Sequence, residues 1–182
     1  MDSGLTVITG GPGTGKTTVV KAIIALAEQE GLNILLCAPT GRAAKRLAET
    51  TQRKAKTIHR LLGPAGYVGP HPLFDHNRDN PLEGDLIIVD EVSMLDLELT
   101  DCLLEALPGR CRCIFVGDAD QLASVGAGAV LHDIIRSETV PVVRLDTIFR
   151  QQEGGLIVTR QNGSSAEVVE LIRIAWQLAV EF

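Results

Sequence analysis

The chain's 182 residues suffice for one domain with a sizeable buried core. Its 45% apolar and 22% charged residues are those of a globular protein, not of a disordered or fibrous one. A net charge of −6 excludes a generally basic coat for nucleic acid and leaves room only for a local basic groove. No uncharged apolar run is long enough to span a membrane. Met1 to Gly4 lead straight into the first strand without a secretory signal, so a cytoplasmic location is expected. Cys37, Cys102, Cys111 and Cys113 lack paired C-x-x-C spacing and read as reduced thiols in or near the core.

Leu5 to Thr9 is short, apolar and β-branched, the signature of a buried parallel strand. It runs into Gly10-Gly11-Pro12-Gly13-Thr14-Gly15-Lys16-Thr17, a full match to G-x-x-x-x-G-K-[ST], and Thr18 to Glu30 reads as a helix. Strand, glycine loop and helix together make an anion cradle. Glycines let successive N–H groups point into one concavity, and the positive end of the helix faces it. Residues Gly11, Pro12, Gly13, Thr14 and Gly15 would wrap the phosphates, Lys16 would reach the β- and γ-phosphates, and the Thr17 hydroxyl would ligate Mg²⁺. Thr18 either extends this set or is only the next helical residue. The bland alternative is a glycine-rich turn that merely caps a helix.

Asn33 to Ala38 forms the next buried strand, ended by Pro39. Thr40 and Gly41 then stand where a strand ends and a helix begins, the edge at which open α/β sheets bind ligands. Thr40 is a helix cap or a phosphate contact to a nucleic-acid backbone. Arg42, Lys45, Arg46, Arg53, Lys54 and Lys56 cluster around this helix against a single acid, Glu49. They are a solvated face or a nucleic-acid contact. Thr57 to Gly63 reads as a short helical turn that carries His59. Residues 64–81 hold four prolines and two glycines, so they form an irregular excursion or a short hairpin.

Asp85 to Val89 is the third apolar strand and ends in Asp90-Glu91. Such an acidic pair is costly at the end of a buried strand unless it is used. Beside a phosphate loop, Asp90 would hold Mg²⁺ and Glu91 would orient and deprotonate an attacking water. Alternatively the pair caps the next helix, which begins at Asp96 and runs to about Leu107. Cys111 to Val116 is a further strand, followed by Gly117-Asp118-Ala119-Asp120-Gln121. Gln121 can touch a γ-phosphate or its water without adding charge, although the same stretch is also good turn chemistry. Ala127 to Ser137 should be helical and Val140 to Leu145 a strand, beyond which Arg150 would act as an arginine finger.

With these blocks in place the chain resembles the first RecA-like motor domain of a superfamily 1 DNA helicase of the RecD-like, exodeoxyribonuclease V alpha-subunit type. The resemblance rests on GGPGTGKTT (10–18), APTGRAAKRL (38–47), TIHRLLG (57–63), IIVDEVSMLD (87–96), VGDADQLASVGAG (116–128) and VVRLDTIFRQ (142–151), in family order. It implies an α/β P-loop NTPase fold with a mainly parallel sheet and flanking helices. It also implies ATP hydrolysis coupled to 5′-to-3′ translocation on single-stranded DNA. By the family's pattern Lys16, Thr17, Asp90, Glu91, Gln121 and Arg150 serve ATP and Mg²⁺, while Thr40, Gly41, Arg42 and His59 fall in blocks that face DNA. The 64–81 excursion lies where such motors carry a strand-splitting hairpin.

The sequence departs from the family at Ala123, where proline is usual, and in lacking the adenine-contacting segment and the second motor domain. Residues 1–151 are therefore expected to be the motor domain, residues 152–165 a flexible connection, and residues 166–182 an apolar helix. That helix would dock in cis, bind a partner such as another helicase or nuclease subunit, or self-associate. A chain of this extent is expected to be a weak ATPase at most. Two other functions remain at this stage: a small P-loop kinase or other NTPase, and a nucleotide-binding scaffold assembling through its C-terminal helix.

Overall fold

A computed structural model describes residues 4–121 and 126–145. The expectations for Ala123, Arg150, the 152–165 connection and the 166–182 helix lie outside the described residues. The chain opens with β1 (Leu5–Gly10), α1 (Lys16–Gln29), β2 (Ile34–Ala38), α2 (Gly41–Thr51), a two-residue β3 (Lys56–Thr57) and α3 (Ile58–Leu62). A hairpin follows, β4 (Pro64–Val68) and β5 (His71–Phe74). Then come β6 (Leu86–Val89), a 3-10 turn at Val92–Met94, α4 (Leu97–Glu105), β7 (Arg112–Gly117), α5 (Val130–Ser137) and β8 (Val142–Leu145).

Six strands form one sheet in the order β3-β2-β6-β7-β1-β8. Each neighbouring pair is parallel. Parallel strands need crossovers, and here helices cover both faces. The side-chain alternation of each strand feeds two separate cores. Ile8, Ile88 and Ile114 pack with Val19, Val20, Ile23 and Ile24 of α1 and Leu47 of α2. Val7, Ile87, Val89 and Phe115 pack on the other face with Ile58 and Leu62 of α3 and Leu99 and Leu103 of α4. Val7, Ile8, Leu86, Ile87, Ile88, Val89, Ile114, Phe115 and Val116 are all inaccessible to solvent.

This arrangement puts every strand's C-terminal end on one edge. β1 lies between β7 and β8, and the chain leaves β1 for β2, returns through β6 and β7, and then crosses to β8. The direction of winding reverses at β1, the place where open α/β sheets leave a crevice for a ligand.

Several boundaries differ from the sequence expectation. α1 begins at Lys16, two residues early, because Gly15 in a left-handed conformation (φ 88°) turns the chain directly into the helix. α5 begins at Val130 rather than Ala127, because the Ala127 carbonyl accepts the Leu97 N–H at 3.0 Å and so serves the first turn of α4. β3 was not foreseen, since two residues carry no periodic signal. The Asp90-Glu91 pair does not cap α4. Asp96 does, its Oδ1 accepting the Leu99 N–H at 2.8 Å. The excursion after Gly63 is a hairpin, β4 against β5 in antiparallel register. It is fastened to α4 by His71 Nδ1 on Glu98 Oε1 and by Arg78 Nη2 on Glu105 Oε1, each at 2.9 Å. Phe74 at its base is buried and meets the His59 ring edge-on at 5.8 Å.

The cysteines behave as core thiols. Cys37, Cys111 and Cys113 are buried and all four are free. Burial pushes the Cys37 and Cys113 thiols far up and Cys111 to about 11, so these groups stay protonated and are poor metal ligands. Among the described residues no cluster of three or more His, Cys, Asp or Glu could hold a metal, and no helix is long and apolar enough to cross a membrane.

Ile114 sits at the centre of β7 with a packed layer above its side chain. Ile114→Ala should cost about 2–5 kcal/mol of unfolding free energy, read as a lower midpoint in urea denaturation. A loss below about 1 kcal/mol would show that the α1 layer does not close over the sheet as described.

Candidate functional site

The glycine loop leaves the C-terminal end of β1 and is shaped by contacts that only small residues permit. A Cβ on Gly10 would lie 2.6 Å from Thr14 Oγ1 and 2.7 Å from the Leu145 carbonyl oxygen, so the loop and β8 close on each other there. Gly13 and Gly15 both take positive φ, 79° and 88°, which side chains disfavour. Thr14 is buried, and its hydroxyl donates to the Gly11 carbonyl at 2.8 Å, bracing the loop from inside. Lys16 Nζ donates to the Gly10 carbonyl and, at 2.9 Å, to the Gly11 carbonyl, which holds the ammonium at the mouth of the loop. A cavity of about 440 Å³ opens above it, lined by residues 11–18 together with Arg46, Glu91 and Gln121.

Glu91 reaches this cavity from the end of β6, directly after Asp90. The Asp90 N–H donates to the Cys37 carbonyl at 3.0 Å, continuing the ladder one residue beyond the strand. Its Oδ1 accepts the Glu91 N–H at 3.0 Å. Burial raises the Asp90 carboxyl above the usual range, and the neighbouring Glu91 charge raises it too. The Glu91 N–H bond, Arg46 and Lys16 oppose that rise. Glu91 takes a left-handed backbone (φ 57°), rare for a side chain without special support. This turns the chain sharply after Asp90, and Glu91 lines the cavity. The Arg46 guanidinium from α2 stands 3.6 Å from Glu91 Oε1.

Gln121 arrives from the end of β7 on a hydrogen-bonded turn. The Asp118 side chain is 2% exposed and accepts from the Asp120 N–H at 3.0 Å and from Gln121 Nε2 at 3.4 Å. Gln121 Oε1 accepts from the buried Ser93 hydroxyl at 3.4 Å. Thr9 Oγ1 of β1 accepts the Ala119 N–H at 3.2 Å, tying this turn to the strand that carries the glycine loop. The turn chemistry and the presentation of Gln121 are thus one arrangement. Sequence reasoning missed Arg46 as a cavity residue, having placed it in a general basic patch. It also passed over Ser93, Thr9 and Asp118 as supports. The acid at β6 and the helical spacing from Thr40 to Arg46 were the available signals for Arg46.

The remaining candidates sit elsewhere on the same edge. Thr40 Oγ1 accepts the Ala43 N–H at 3.2 Å, so it caps α2. Gly41 is exposed, with open space where a Cβ would stand. Arg42 and His59 are exposed beyond the ends of β2 and β3. None of these four lines the cavity. They lie at the β3–β2 end of the sheet, with β6 between them and the β7–β1–β8 end.

Comparison with known proteins agrees with this geometry. Residues 1–127 match the family model described as an AAA domain. The chain is 47% identical over 159 residues to the ATP-dependent RecD2 DNA helicase of Deinococcus radiodurans, covering 87% of this chain and 21% of that protein. It is 42% identical over 191 residues to the RecBCD enzyme subunit RecD of Mycolicibacterium smegmatis, covering 91% of this chain and 34% of that protein. The chain thus spans about a fifth to a third of the length of these curated relatives. The crystal structure of Bacteroides Pif1 bound to ssDNA superposes with a TM-score of 0.54 at 27% identity, covering 81% of this chain and 39% of that one. The sheet, the glycine loop and this run of relatives lead to one assignment: the chain belongs to the AAA domain family and is a homologue of the RecD-type helicases.

Proposed function

We propose that the chain is the ATP-binding motor domain of a 5′-to-3′ DNA helicase, in which ATP hydrolysis drives translocation on single-stranded DNA. The observation that carries this reading is the single cavity shared by residues 11–18, Glu91 and Gln121, with Asp90 beside it. The relatives named above are DNA helicases or helicase subunits, which supports the same reading.

The residues fit a nucleoside triphosphate. Gly11 to Gly15 offer backbone N–H groups and the N-terminus of α1 to the phosphates. Lys16 brings the compact charge that the β- and γ-phosphates need. Thr17 and Asp90 are hard oxygen donors suited to Mg²⁺, which supplies charge neutralisation between the phosphates when bound. Glu91 would accept the proton of the attacking water and Gln121 would orient that water or the γ-phosphate. Arg150, outside the described residues, would act on the γ-phosphate as an arginine finger. Hydrolysis by this chain alone is expected to be slow, because Thr17 and Thr18 at the front of the site are exposed. Activity would rise when a further domain or subunit covers them.

Thr40, Gly41, Arg42 and His59 would meet the DNA backbone. Contacts to phosphate and sugar carry no base identity, so no sequence preference is expected. The β4–β5 hairpin, with Tyr67 and Val68 exposed, would stand at the strand junction. A cytoplasmic location and partnership with other helicase or nuclease subunits belong to the same proposal.

Three measurements test it. Lys16→Ala should weaken binding of a fluorescent ATP analogue by at least about tenfold and abolish any DNA-stimulated turnover. Undiminished binding would remove the nucleotide site from the reading. Arg42→Ala with His59→Ala should lower affinity for fluorescent oligo-dT at low salt and flatten its salt dependence. Equal salt slopes for the two proteins would place the DNA elsewhere. Asp90→Asn should melt at a higher temperature than wild type at pH 7. The fold raises the Asp90 carboxyl, so its charged form costs stability above the raised value. That advantage should close as the pH falls below about 3.9, where the unfolded carboxyl is also protonated. A variant less stable at pH 7 would mean that the carboxylate is needed for folding rather than for ligand.

A further inference from the structure

Arg46 lines the cavity although neither the glycine loop nor the acidic pair requires it. It projects from α2, whose N-terminus at Thr40 and Gly41 belongs to the other end of the sheet edge, yet it lines the same 440 Å³ space as residues 11–18. Its partner is Glu91, and the pair is loose. The guanidinium nitrogen and carboxylate oxygen stand 3.6 Å apart, and the Arg46 side chain is 72% exposed. An exposed pair at that distance contributes little to stability, so folding does not explain the placement.

Charge does explain it. Among the described residues, the cations lining the space are Lys16 and Arg46, and Glu91 is the anion. Lys16 Nζ sits at the mouth of the loop, on the carbonyls of Gly10 and Gly11, rather than beside Glu91. A terminal phosphate entering beside Glu91 would meet a carboxylate at close range, and like charges there are unfavourable in a partly desolvated space. Arg46 can stand between them. Its planar fork can keep one nitrogen on Glu91 and offer another to phosphate oxygens, a bidentate role that lysine cannot fill equally. A diphosphate lacks the terminal group that Arg46 would meet.

We propose that Arg46 is a specificity-determining residue of the nucleotide site, a cation held by Glu91 that recognises the terminal phosphate of a nucleoside triphosphate and so separates triphosphate from diphosphate. This rests on the nucleotide-binding reading above and deepens it. Because the same helix begins at the proposed DNA-facing turn, the residue also links that turn to the state of the nucleotide.

The test is equilibrium binding of a non-hydrolysable ATP analogue and of ADP to the intact chain, with Mg²⁺ present. Wild type, Lys16→Ala, Arg46→Ala and Arg46→Lys are compared after their thermal melts are shown to match. Arg46→Ala should lose about tenfold in affinity for the triphosphate and less than about twofold for ADP, the loss of one charge-assisted contact. Arg46→Lys, which keeps the charge without the fork, should fall between wild type and Arg46→Ala for the triphosphate. Equal losses for the two nucleotides, or no loss for either, would overturn the assignment. If wild type binds neither nucleotide, or Lys16→Ala binds both as wild type does, the nucleotide reading itself fails and this inference with it.

Discussion

The geometry of a parallel sheet governs this molecule. With every strand running the same way, each C-terminal end opens onto one edge, and each connection must return over a face to begin again. The backbone groups left unpaired along that edge need partners. The glycine loop after β1, the acidic pair after β6 and the Asp118 turn after β7 are three solutions to that need. They converge because β1 and β7 are neighbours and β6 lies next to β7. Two apolar cores, one on each face, make the platform stiff enough to hold charged groups at the rim. The site is polar because it is where the sheet stops. It can be well ordered because what lies beneath it is apolar and buried.

The parts legible in sequence were those with short-range signals. The β1 loop was read from glycine spacing, and the strands β2, β6 and β7 from runs of Leu, Ile and Val that suit burial on both faces. Asp90 and Glu91 were read from the oddity of acids after such a run. Contacts made across the fold stayed hidden. Arg46 is 45 residues from Glu91, and nothing local in α2 separates it from Arg42 or Lys45, which do not line the cavity. Ser93 and Thr9 look like ordinary polar residues until Gln121 and Ala119 are brought beside them. β3 escaped because two residues cannot show a period. α5 was drawn too long because helical propensity does not register that the Ala127 carbonyl is already engaged by Leu97. The strand order itself was not read, since no single segment encodes which neighbour it will have.

Asp90 illustrates a tension common to sites of this kind. Burial and the Glu91 charge disfavour its ionised form, while Lys16 and Arg46 favour it. Stability alone would replace it with a neutral group. Under the proposed function that carboxylate would serve a cation, and the fold would give up some stability to hold it ready. The left-handed backbone at Glu91 is a second concession at the same spot. Both fall at the end of β6, where the sheet below is inaccessible to solvent and can tolerate them.

The first turn of α4 has two tenants. Its leading N–H, from Leu97, is taken by the Ala127 carbonyl, which belongs to the segment downstream of Gln121. The next residue, Glu98, holds His71 at the turn end of the hairpin. Adjacent residues of one helix therefore hold the Ala127 segment on one side and the hairpin on the other. A tilt of that turn would reach both contacts at once. In mechanical terms α4 is a shared mount for the Ala127 segment and for the hairpin.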